Sequence, residues 1–162
     1  MKTYIVIATE SEKQLINEFL TEWDIEHAKV IVTGVGGLNI IVALKKLKKK
    51  SRIINIGYVG SNSYDVGTRV VVGCSSLYHP NVRYESPVYY PSCFDSKLFA
   101  ERGVTCFTSN DFVKFSSLKT PVVFDMELAF ICSLGFKEVV SFKKVSDKLN
   151  YKQYKAVVRE KE

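Results

Sequence analysis

Short apolar runs rich in β-branched residues alternate with longer amphipathic stretches along this chain of 162 residues. The short runs predict strands, and apolar residues that recur every three or four positions predict helices. We predict strands over residues 4–8, 28–33, 53–56, 68–78, 104–108, 121–124 and 138–145. We predict helices over residues 11–23, 38–49 and 125–134, the last of them ended by Gly135.

The order of these elements predicts the fold class. Strands that alternate with helices are typical of an α/β domain, here a three-layer α/β/α arrangement around a central, mostly parallel (mixed) sheet. Residues 53–56 are apolar except for Asn55, a pattern that predicts a central strand buried on both faces. Residues 57–67 predict a turn-rich loop, and residues 79–92 fit no element. The charged tail from about residue 150 predicts a short helix or partial disorder, and we expect one domain over residues 1–162.

The composition is that of an ordinary folded protein, with 46% hydrophobic and 25% charged residues. No apolar run is long enough to cross a bilayer, so we expect no membrane partner. The short apolar run at the N-terminus ends at Glu10, Ser11 and Glu12, which does not fit a signal peptide. The four cysteines form no CxxC pair, which predicts a cytoplasmic location and no metal site; they are Cys74, Cys93, Cys106 and Cys132.

The net charge of +6 raises the question of a nucleic-acid partner. Much of the excess lies at the end of the second predicted helix, at Lys45, Lys46, Lys48, Lys49 and Lys50. Lysines at a helix C-terminus interact favourably with the helix dipole and need no partner. Because no RNP, KH or zinc-finger pattern accompanies them, we expect a solvated face and no nucleic-acid partner.

A glycine-rich turn, Gly34-x-Gly36-Gly37, separates a predicted strand from a predicted helix, as in a dinucleotide-binding motif. The sixth position of that motif is Asn39, however, and no acid ends the next strand. We therefore expect no nicotinamide cofactor and no other cofactor. The glycines instead predict a tight turn with a close backbone approach to a ligand or a neighbouring strand.

Three acids, Glu12, Glu127 and Asp147, each follow a predicted strand. Ligands of open α/β sheets bind beyond the carboxyl ends of the strands, so we expect these acids to share one pocket. Three carboxylates in a pocket indicate acid/base chemistry on a hydroxyl-rich substrate. Each acid also has a structural interpretation: a capping box for Glu12, a first-turn acid for Glu127 and an exposed loop acid for Asp147.

Five segments occur in an order that resembles one superfamily: residues 33–39, 53–60, 66–72 with Tyr78 and His79, 124–127 and 145–147. In this order the chain is similar to the nucleoside phosphorylase and nucleosidase superfamily. It is most like the methylthioadenosine/adenosylhomocysteine nucleosidase branch, in a shortened form. The resemblance implies the phosphorylase/hydrolase-like fold and cleavage of the N-glycosidic bond of a purine nucleoside.

The resemblance also implies a role for each acid. Asp147 would protonate the departing base, Glu12 would activate the attacking water, and Glu127 would bind the ribose hydroxyls beside Met126. This division of labour parallels the two-carboxylate logic of glycoside hydrolysis. The remaining substrate-binding residues that it implies are Val59, Gly60, His79, Phe112, Val113 and Ser146. Phe112 would stack on the purine, with an ordinary core phenylalanine as the alternative, and Ser146 would position Asp147.

Three functions stay open at this point: a hydrolase, a phosphate-dependent phosphorylase, and a catalytically degenerate nucleoside-binding protein. The turn over residues 8–12 holds two acids and no arginine, which disfavours a phosphate dianion and favours water. Arg52, Arg69 and Arg83 keep the phosphorylase open. The chain lacks a hairpin after Trp23 that relatives carry, and the bulky Tyr58 replaces a small residue. The resemblance further implies a homodimer, and it leaves the 5′ substituent of the nucleoside open.

Overall fold

The structure of the protein is a computed structural model that describes residues 1–79, 86–92 and 101–159. Arg83 and Cys93, both noted above, lie outside the described residues. The strands are β1 (Thr3–Ile7), β2 (Lys29–Val32), β3 (Arg52–Ser61), β4 (Arg69–Leu77), β5 (Glu101–Thr108), β6 (Val123–Asp125) and β7 (Glu138–Asp147). The helices are α1 (Lys13–Phe19), α2 (Glu22–Glu26), α3 (Gly37–Leu44), α4 (Leu128–Ser133) and α5 (Tyr151–Arg159), with a 3-10 turn over Glu10–Glu12.

All seven strands belong to one mixed sheet. The pairs β1–β2, β1–β3, β3–β7, β4–β5 and β5–β6 are parallel, whereas β3–β6 and β4–β7 are antiparallel. Since β3 pairs with both β6 and β7, the strands β3, β6, β5, β4 and β7 form a closed ring, and β1 and β2 extend the sheet beyond it. The predicted mostly parallel mixed sheet is confirmed.

Alternate residues of the strands pack on opposite faces of the sheet, as the pleat requires. Ile5 and Ile7 of β1 pack in a core with α1 and α5, and Val6 between them packs in a second core with α3 and α4. The helices contribute Leu15, Phe19 and Val158 to the first core, and Ile40, Leu44, Leu128 and Ile131 to the second. This arrangement is the predicted α/β/α layering. Within the described ranges no helix is both long enough and apolar enough to span a membrane.

The helix predicted over residues 11–23 is instead split into α1 and α2. Leu20 has an extended backbone, and Thr21 starts the next helix with its side chain accepting a hydrogen bond from the N–H of Asp24. The carboxylate of Asp24 in turn accepts the N–H of Thr21 at 3.2 Å. This reciprocal capping box begins a new helix at the point where the apolar periodicity ends.

The loop predicted over residues 57–67 is wrong in its first part, because β3 continues through it to Ser61. Gly57 and Gly60 suggested turns, but both lie within the strand and leave room for side chains of neighbouring elements. For the tail the sequence predicted a short helix or partial disorder, and residues 151–159 form a short helix, α5. The long β3 and the start of α5 bring their residues to one edge of the sheet.

Candidate active site

A cavity of about 300 Å³, called the pocket below, opens at the carboxyl ends of β1, β3, β6 and β7. Helix α5 covers one side of it. The pocket is lined by Ala8, Thr9, Glu12, Val35, Tyr58, Val59, Gly60, Asp111, Phe112, Phe124, Asp125, Met126, Glu127, Ser146, Asp147, Tyr151, Tyr154 and Val158. Carboxyl ends of strands are the usual ligand site of α/β sheets, because the connecting loops there supply polar groups.

The three acids singled out from the sequence all line this pocket. Glu12, Glu127 and Asp147 are 6%, 9% and 0% exposed, so their carboxyl groups are largely removed from water. The other predicted site residues that line the pocket are Val59, Gly60, Phe112, Met126 and Ser146. The structure therefore brings together residues that are separated by more than one hundred positions along the chain.

Glu12 sits just after the first strand and is held by backbone donors. Its Oε1 accepts the N–H groups of Ala8 at 2.8 Å and Thr9 at 3.1 Å, and its Oε2 accepts the N–H of Tyr58 at 2.8 Å. Burial raises the pKa of Glu12, whereas the nearby Lys143 ammonium and the three N–H donors favour the carboxylate. The bond from Thr9 is half of a capping box, so Glu12 caps the turn and also faces the pocket.

Lys143 lies beneath the pocket in β7 and is 1% exposed. Its Nζ lies 3.2 Å from Oδ2 of Asp125. Burial alone would lower the pKa of Lys143, but the negative groups around it, Asp125 first, raise it above its ordinary value. The same ammonium lowers the pKa of Glu12 and of Glu127. It is therefore a single positive charge among three buried carboxyl groups.

Glu127 precedes α4, where its carboxylate contacts the glycine-rich turn. Its Oε2 accepts the N–H of Gly36 at 3.2 Å. Gly36 has a φ of 94°, a backbone conformation that only glycine adopts without strain, and this conformation starts α3. Burial, followed by repulsion from Asp125, raises the pKa of Glu127 to about 8. The sequence predicted a close approach of this turn to a ligand or a neighbouring strand, and the contact observed is with Glu127, between β6 and α4.

Asp147 ends β7 and is hydrogen-bonded on both carboxyl oxygens. The hydroxyl of Ser146 donates to Oδ1 at 2.7 Å, and the N–H of Asn150 donates to Oδ2 at 3.3 Å. Burial raises the pKa of Asp147, while these hydrogen bonds oppose the rise. Ser146 therefore contacts the carboxyl group that it was predicted to position.

Two glycines of β3 leave the space that the acids occupy. A Cβ atom at Gly57 would lie 2.6 Å from Oε2 of Glu12, and one at Gly60 would lie 2.9 Å from Oδ2 of Asp147. Both distances are shorter than van der Waals contact, so any larger residue would displace a carboxyl group. The strand can pass between the two acids only because these positions carry no side chain.

Aromatic rings of α5 meet Phe112 at the pocket. The ring centroid of Phe112 lies 5.3 Å from that of Tyr151 and 5.6 Å from that of Tyr154, in edge-on and tilted contacts. Burial, followed by the negative charges of Glu12 and Glu127, raises the pKa of Tyr154 to about 12. Its phenol is therefore protonated at neutral pH and can donate a hydrogen bond.

Tyr58 lies within β3, is 8% exposed and lines the pocket. Its hydroxyl oxygen accepts a hydrogen bond from Nε2 of Gln14 at 2.9 Å. Burial raises the pKa of Tyr58, so the phenol keeps its proton. The ring narrows the pocket, and Gln14 of α1 fixes its orientation.

His79 and Val113 lie in a second, more open cavity of about 620 Å³ that shares Asp111 and Phe112 with the pocket. Nε2 of His79 lies 2.6 Å from the hydroxyl oxygen of Ser86. These two predicted substrate-binding residues therefore border an adjoining space rather than the pocket itself.

Sequence reasoning missed Lys143, Tyr151 and Tyr154. A signal existed for Lys143, because it shares one face of the strand with Val139 and Val145, which are apolar and buried. The charge interrupts that buried face and needs a buried partner. The tyrosines carried no comparable signal, since helical spacing alone does not indicate where α5 packs.

We predict that Glu127 makes stability depend on pH. The folded protein holds the Glu127 proton up to a pKa of about 8, whereas the unfolded chain releases it near 4.5. Its contribution to the free energy of unfolding is therefore complete below pH 4.5 and is lost as pH rises towards 8, with a slope of at most about 1.4 kcal/mol per pH unit. Denaturation of wild type and Glu127→Gln between pH 5 and 8 measures the difference.

In that comparison the Glu127→Gln variant is expected to have the shallower slope. Glu22→Gln, a matched change at an exposed acid in α2, serves as the control and keeps the wild-type slope. Identical slopes in wild type and Glu127→Gln would contradict the prediction.

Comparison with known proteins places this fold among nucleosidases. Neither the protein-family models nor the curated proteins contain a match to this chain. Among solved structures, an MTA/SAH nucleosidase of Streptococcus pneumoniae in complex with 8-aminoadenine is 16% identical, with a TM-score of 0.71 over 99% of this chain and 93% of that one. The corresponding nucleosidase of Neisseria meningitidis, in complex with methylthio-immucillin-A, is 18% identical, with a TM-score of 0.72 over 99% and 94%.

A third similar structure is a futalosine hydrolase mutant of Helicobacter pylori. It is 12% identical, with a TM-score of 0.72 over 99% of this chain and 93% of that one. At these identities the likeness establishes the fold, which the sequence resemblance predicted. The chain has the phosphorylase/hydrolase-like fold of these solved nucleosidase and futalosine hydrolase structures.

Proposed function

We propose that this protein is a nucleosidase that hydrolyses the N-glycosidic bond of a purine nucleoside. The observation that carries the proposal is the convergence of Glu12, Glu127 and Asp147 on one pocket of about 300 Å³. The three acids have different hydrogen-bond partners, which suits a division of the work of bond cleavage. Three backbone N–H groups donate to Glu12, one donates to Glu127, and a hydroxyl and an N–H donate to Asp147. The fold shared with solved nucleosidases supports the same reading.

Asp147 is the proposed general acid. Breaking the bond between C1′ of the ribose and the purine nitrogen leaves negative charge on the base. A proton delivered to the base from Asp147 neutralises that charge and makes the purine a better leaving group. The raised pKa of Asp147 supports this role, because an acid must hold its proton before it can deliver it.

Glu12 is the proposed general base. As the bond breaks, C1′ gains oxocarbenium character and is attacked by water, whose proton passes to Glu12. The products are the free purine and the corresponding ribose, which keeps any 5′ substituent. The reaction balances when the proton on Glu12 returns through solvent to Asp147. The three N–H groups that donate hydrogen bonds to Glu12 fix its carboxylate in one orientation. This reduces the entropy that is lost when the water is positioned.

The remaining residues of the pocket are proposed to hold the nucleoside. Glu127 would accept hydrogen bonds from the ribose hydroxyls, with Met126 packed against the sugar. Phe112 would stack on the purine. To do so, its ring must give up its contacts with Tyr151 and Tyr154 of α5. The carboxylate of Glu12 would also favour a sugar that carries partial positive charge in the transition state.

The pocket favours water over phosphate as the nucleophile. Among its described lining residues, none is an arginine or a lysine. Arg52 lies at the opposite end of β3 and pairs with Glu138 at 3.4 Å, and Arg69 begins β4 outside the lining. A phosphate dianion would meet three carboxyl groups without a cation in contact with it, which is unfavourable in a poorly solvated pocket.

The proposal is tested by purine release in the presence and absence of phosphate. The substrate panel is methylthioadenosine, adenosylhomocysteine, adenosine, inosine and futalosine, followed by chromatography of the free base. Release from at least one nucleoside, unchanged by phosphate, is the expected result. Release that requires phosphate would instead indicate a phosphorylase, and saturable binding without release a degenerate binding protein.

We further predict the effects of two carboxamide substitutions. Asp147→Asn removes the proton donor and is expected to lower kcat by about 100-fold or more, since general acid catalysis contributes about 10²–10⁴-fold. Glu12→Gln is expected to lower kcat by a similar factor while a non-cleavable nucleoside analogue still binds. Glu22→Gln is the matched control at an exposed acid. Turnover that is unchanged in both pocket variants would overturn the assignment of acid and base.

We also propose that the protein is a cytoplasmic homodimer. Apolar side chains are exposed on and before α3 and beside the second cavity: Val35, Leu38, Ile41, Val42 and Phe115. Leu38 and Phe115 are each 77% exposed, which is costly unless another surface covers them. The three described cysteines are free, as expected in a reducing compartment.

The dimer proposal predicts a mass of about twice 18.4 kDa by light scattering at micromolar concentration. Leu38→Asp is expected to shift the mass to that of the monomer, because a charge in the interface would remain unpaired. Lys119→Asp, at another exposed position, is the control and should leave the mass unchanged. A monomeric wild-type protein would contradict the proposal.

A further inference from the structure

The positive charge of the protein is concentrated in one part of the chain. Between Glu26 and Asp65 there are seven lysine and arginine residues and no acidic residue. The net charge of the whole chain is +6, so this segment accounts for all of the excess. Charge that is concentrated in this way produces a positive electrostatic potential on one side of the protein. A surface that only contacts solvent does not need such a concentration of charge.

The fold collects these residues at the edge of the sheet opposite the pocket. The backbone oxygen of Lys49 accepts the N–H of Lys137 at 2.7 Å, and the backbone oxygen of Lys2 accepts the N–H of Arg52 at 2.9 Å. These bonds bring the turn after α3 to the amino ends of β1, β3 and β7. The exposed lysines there, called the lysine edge, are Lys2, Lys45, Lys46, Lys48, Lys49, Lys50 and Lys137.

No acid among the described residues forms an ion pair with the lysine edge. Within the described residues, the lysines that form ion pairs are Lys13, Lys143, Lys144 and Lys148, and none of these belongs to the edge. Glu138, the acid next to Lys137, lies 3.4 Å from Arg52. The positive field of the edge is therefore available to a negatively charged partner.

An aromatic groove adjoins the lysine edge. The cavity has a volume of about 390 Å³ and is lined by Tyr89, Tyr90, Phe136 and Lys137, among other residues. Tyr90 is 78% exposed, and Nζ of Lys49 lies 4.9 Å from the ring centroid of Phe136. Backbone hydrogen bonds between Tyr89 and Ser75, both 2.8 Å long, hold the groove segment to β4.

We propose that the lysine edge and this aromatic groove bind single-stranded nucleic acid. Lysines along a surface pair with successive phosphates, and exposed aromatic rings stack on the unpaired bases between them. Composition alone favoured a solvated face, because the sequence does not show that residues 88–92 lie beside the lysines. The combination of a cationic edge and an exposed ring at a concave surface is what a single strand requires.

An anionic membrane fits this surface less well. Membrane-surface binding needs apolar side chains that enter the acyl region beside the lysines. The groove has one exposed aliphatic side chain among its described lining residues, Val88, beside Tyr89 and Tyr90. The tyrosines carry polar hydroxyl groups in a concave wall, which suits planar bases. The exposed apolar residues of α3 begin near the pocket, at the other end of the helix from the lysines.

The surface is independent of the pocket. The pocket lies at the carboxyl ends of β1, β3 and β7, and the lysine edge lies at their amino ends. A strand bound at the edge therefore leaves the pocket open to a nucleoside. Failure of purine release and failure of nucleic-acid binding are consequently separate results.

The test is fluorescence anisotropy with a labelled 20-nucleotide oligo(dT), oligo(U) and a 20-base-pair duplex over a series of salt concentrations. The wild-type protein is expected to bind the single strands more tightly than the duplex, with affinity that falls as salt rises. Lys49→Ala/Lys50→Ala is expected to reduce the slope of log K against log salt by about 1.4, since each phosphate contact on a single strand contributes about 0.7. Tyr90→Ala is expected to weaken binding at least about fivefold without changing the slope.

Two controls match these variants. Lys119→Ala/Lys152→Ala removes the same charge from other exposed positions and should retain wild-type affinity, and Tyr90→Phe should retain most of the stacking. All substituted residues are exposed, and circular dichroism with thermal melting checks their fold. The proposal is overturned by absence of binding, by equal binding of duplex and single strand with no effect of Tyr90→Ala, or by binding only to phosphatidylserine vesicles.

Discussion

The pocket depends on one buried positive charge. Lys143 is almost completely buried, and its ammonium forms an ion pair with Asp125. The same ammonium partly offsets the rise that burial causes in the pKa of Glu12 and of Glu127. Several carboxyl groups can share a poorly hydrated region only if some are protonated or a cation lies among them. Here both occur, since Glu127 has a pKa of about 8. Removing one partner of such a buried pair costs about 3–5 kcal/mol, so the charges must be retained together.

The register of the central strands places these charges. In the β3–β7 pair, Gly57 lies opposite Lys143 and Gly60 lies opposite Asp147. Because the glycines carry no side chain, the carboxyl groups of Glu12 and Asp147 reach over the strand from two sides. A shift of one residue would put Tyr58 or Val59 where an acid now lies, and it would turn Lys143 to the other face. Register and charge placement therefore constrain each other.

The fold class follows from the alternation of apolar runs, because burial on both faces of a parallel sheet requires that pattern. Competing local signals explain why the predicted helix over residues 11–23 and the predicted loop over residues 57–67 were wrong. Thr21 caps a new helix inside a longer amphipathic stretch, and Gly57 and Gly60 have the composition of a turn while lying in a strand. A glycine-rich composition indicates a backbone that turns easily. Here, however, glycine is required because a side chain at either position would clash with the carboxyl group of Glu12 or Asp147.

The candidate acids were found from their order and from a family resemblance rather than from local pattern. Glu12, Glu127 and Asp147 each fit an ordinary structural role, and Glu12 does fill one as half of a capping box. Lys143, Tyr151 and Tyr154 belong to no motif that the sequence displayed. Their positions depend on how β7 and α5 pack, and long-range packing of that kind is not encoded in spacing along the chain.

The parallel arrangement also separates charge across the molecule. Three strands align their carboxyl ends at an acidic pocket and their amino ends at seven exposed lysines. In the proposed reaction a neutral nucleoside would enter the pocket without a Coulomb penalty, and its sugar would gain positive character only during bond cleavage. The phosphate of a nucleotide would be repelled by ionised acids of the pocket and attracted to the lysines at the opposite end of the sheet. Under the proposed function, the charge separation that would stabilise an oxocarbenium-like sugar would therefore also select against phosphorylated substrates.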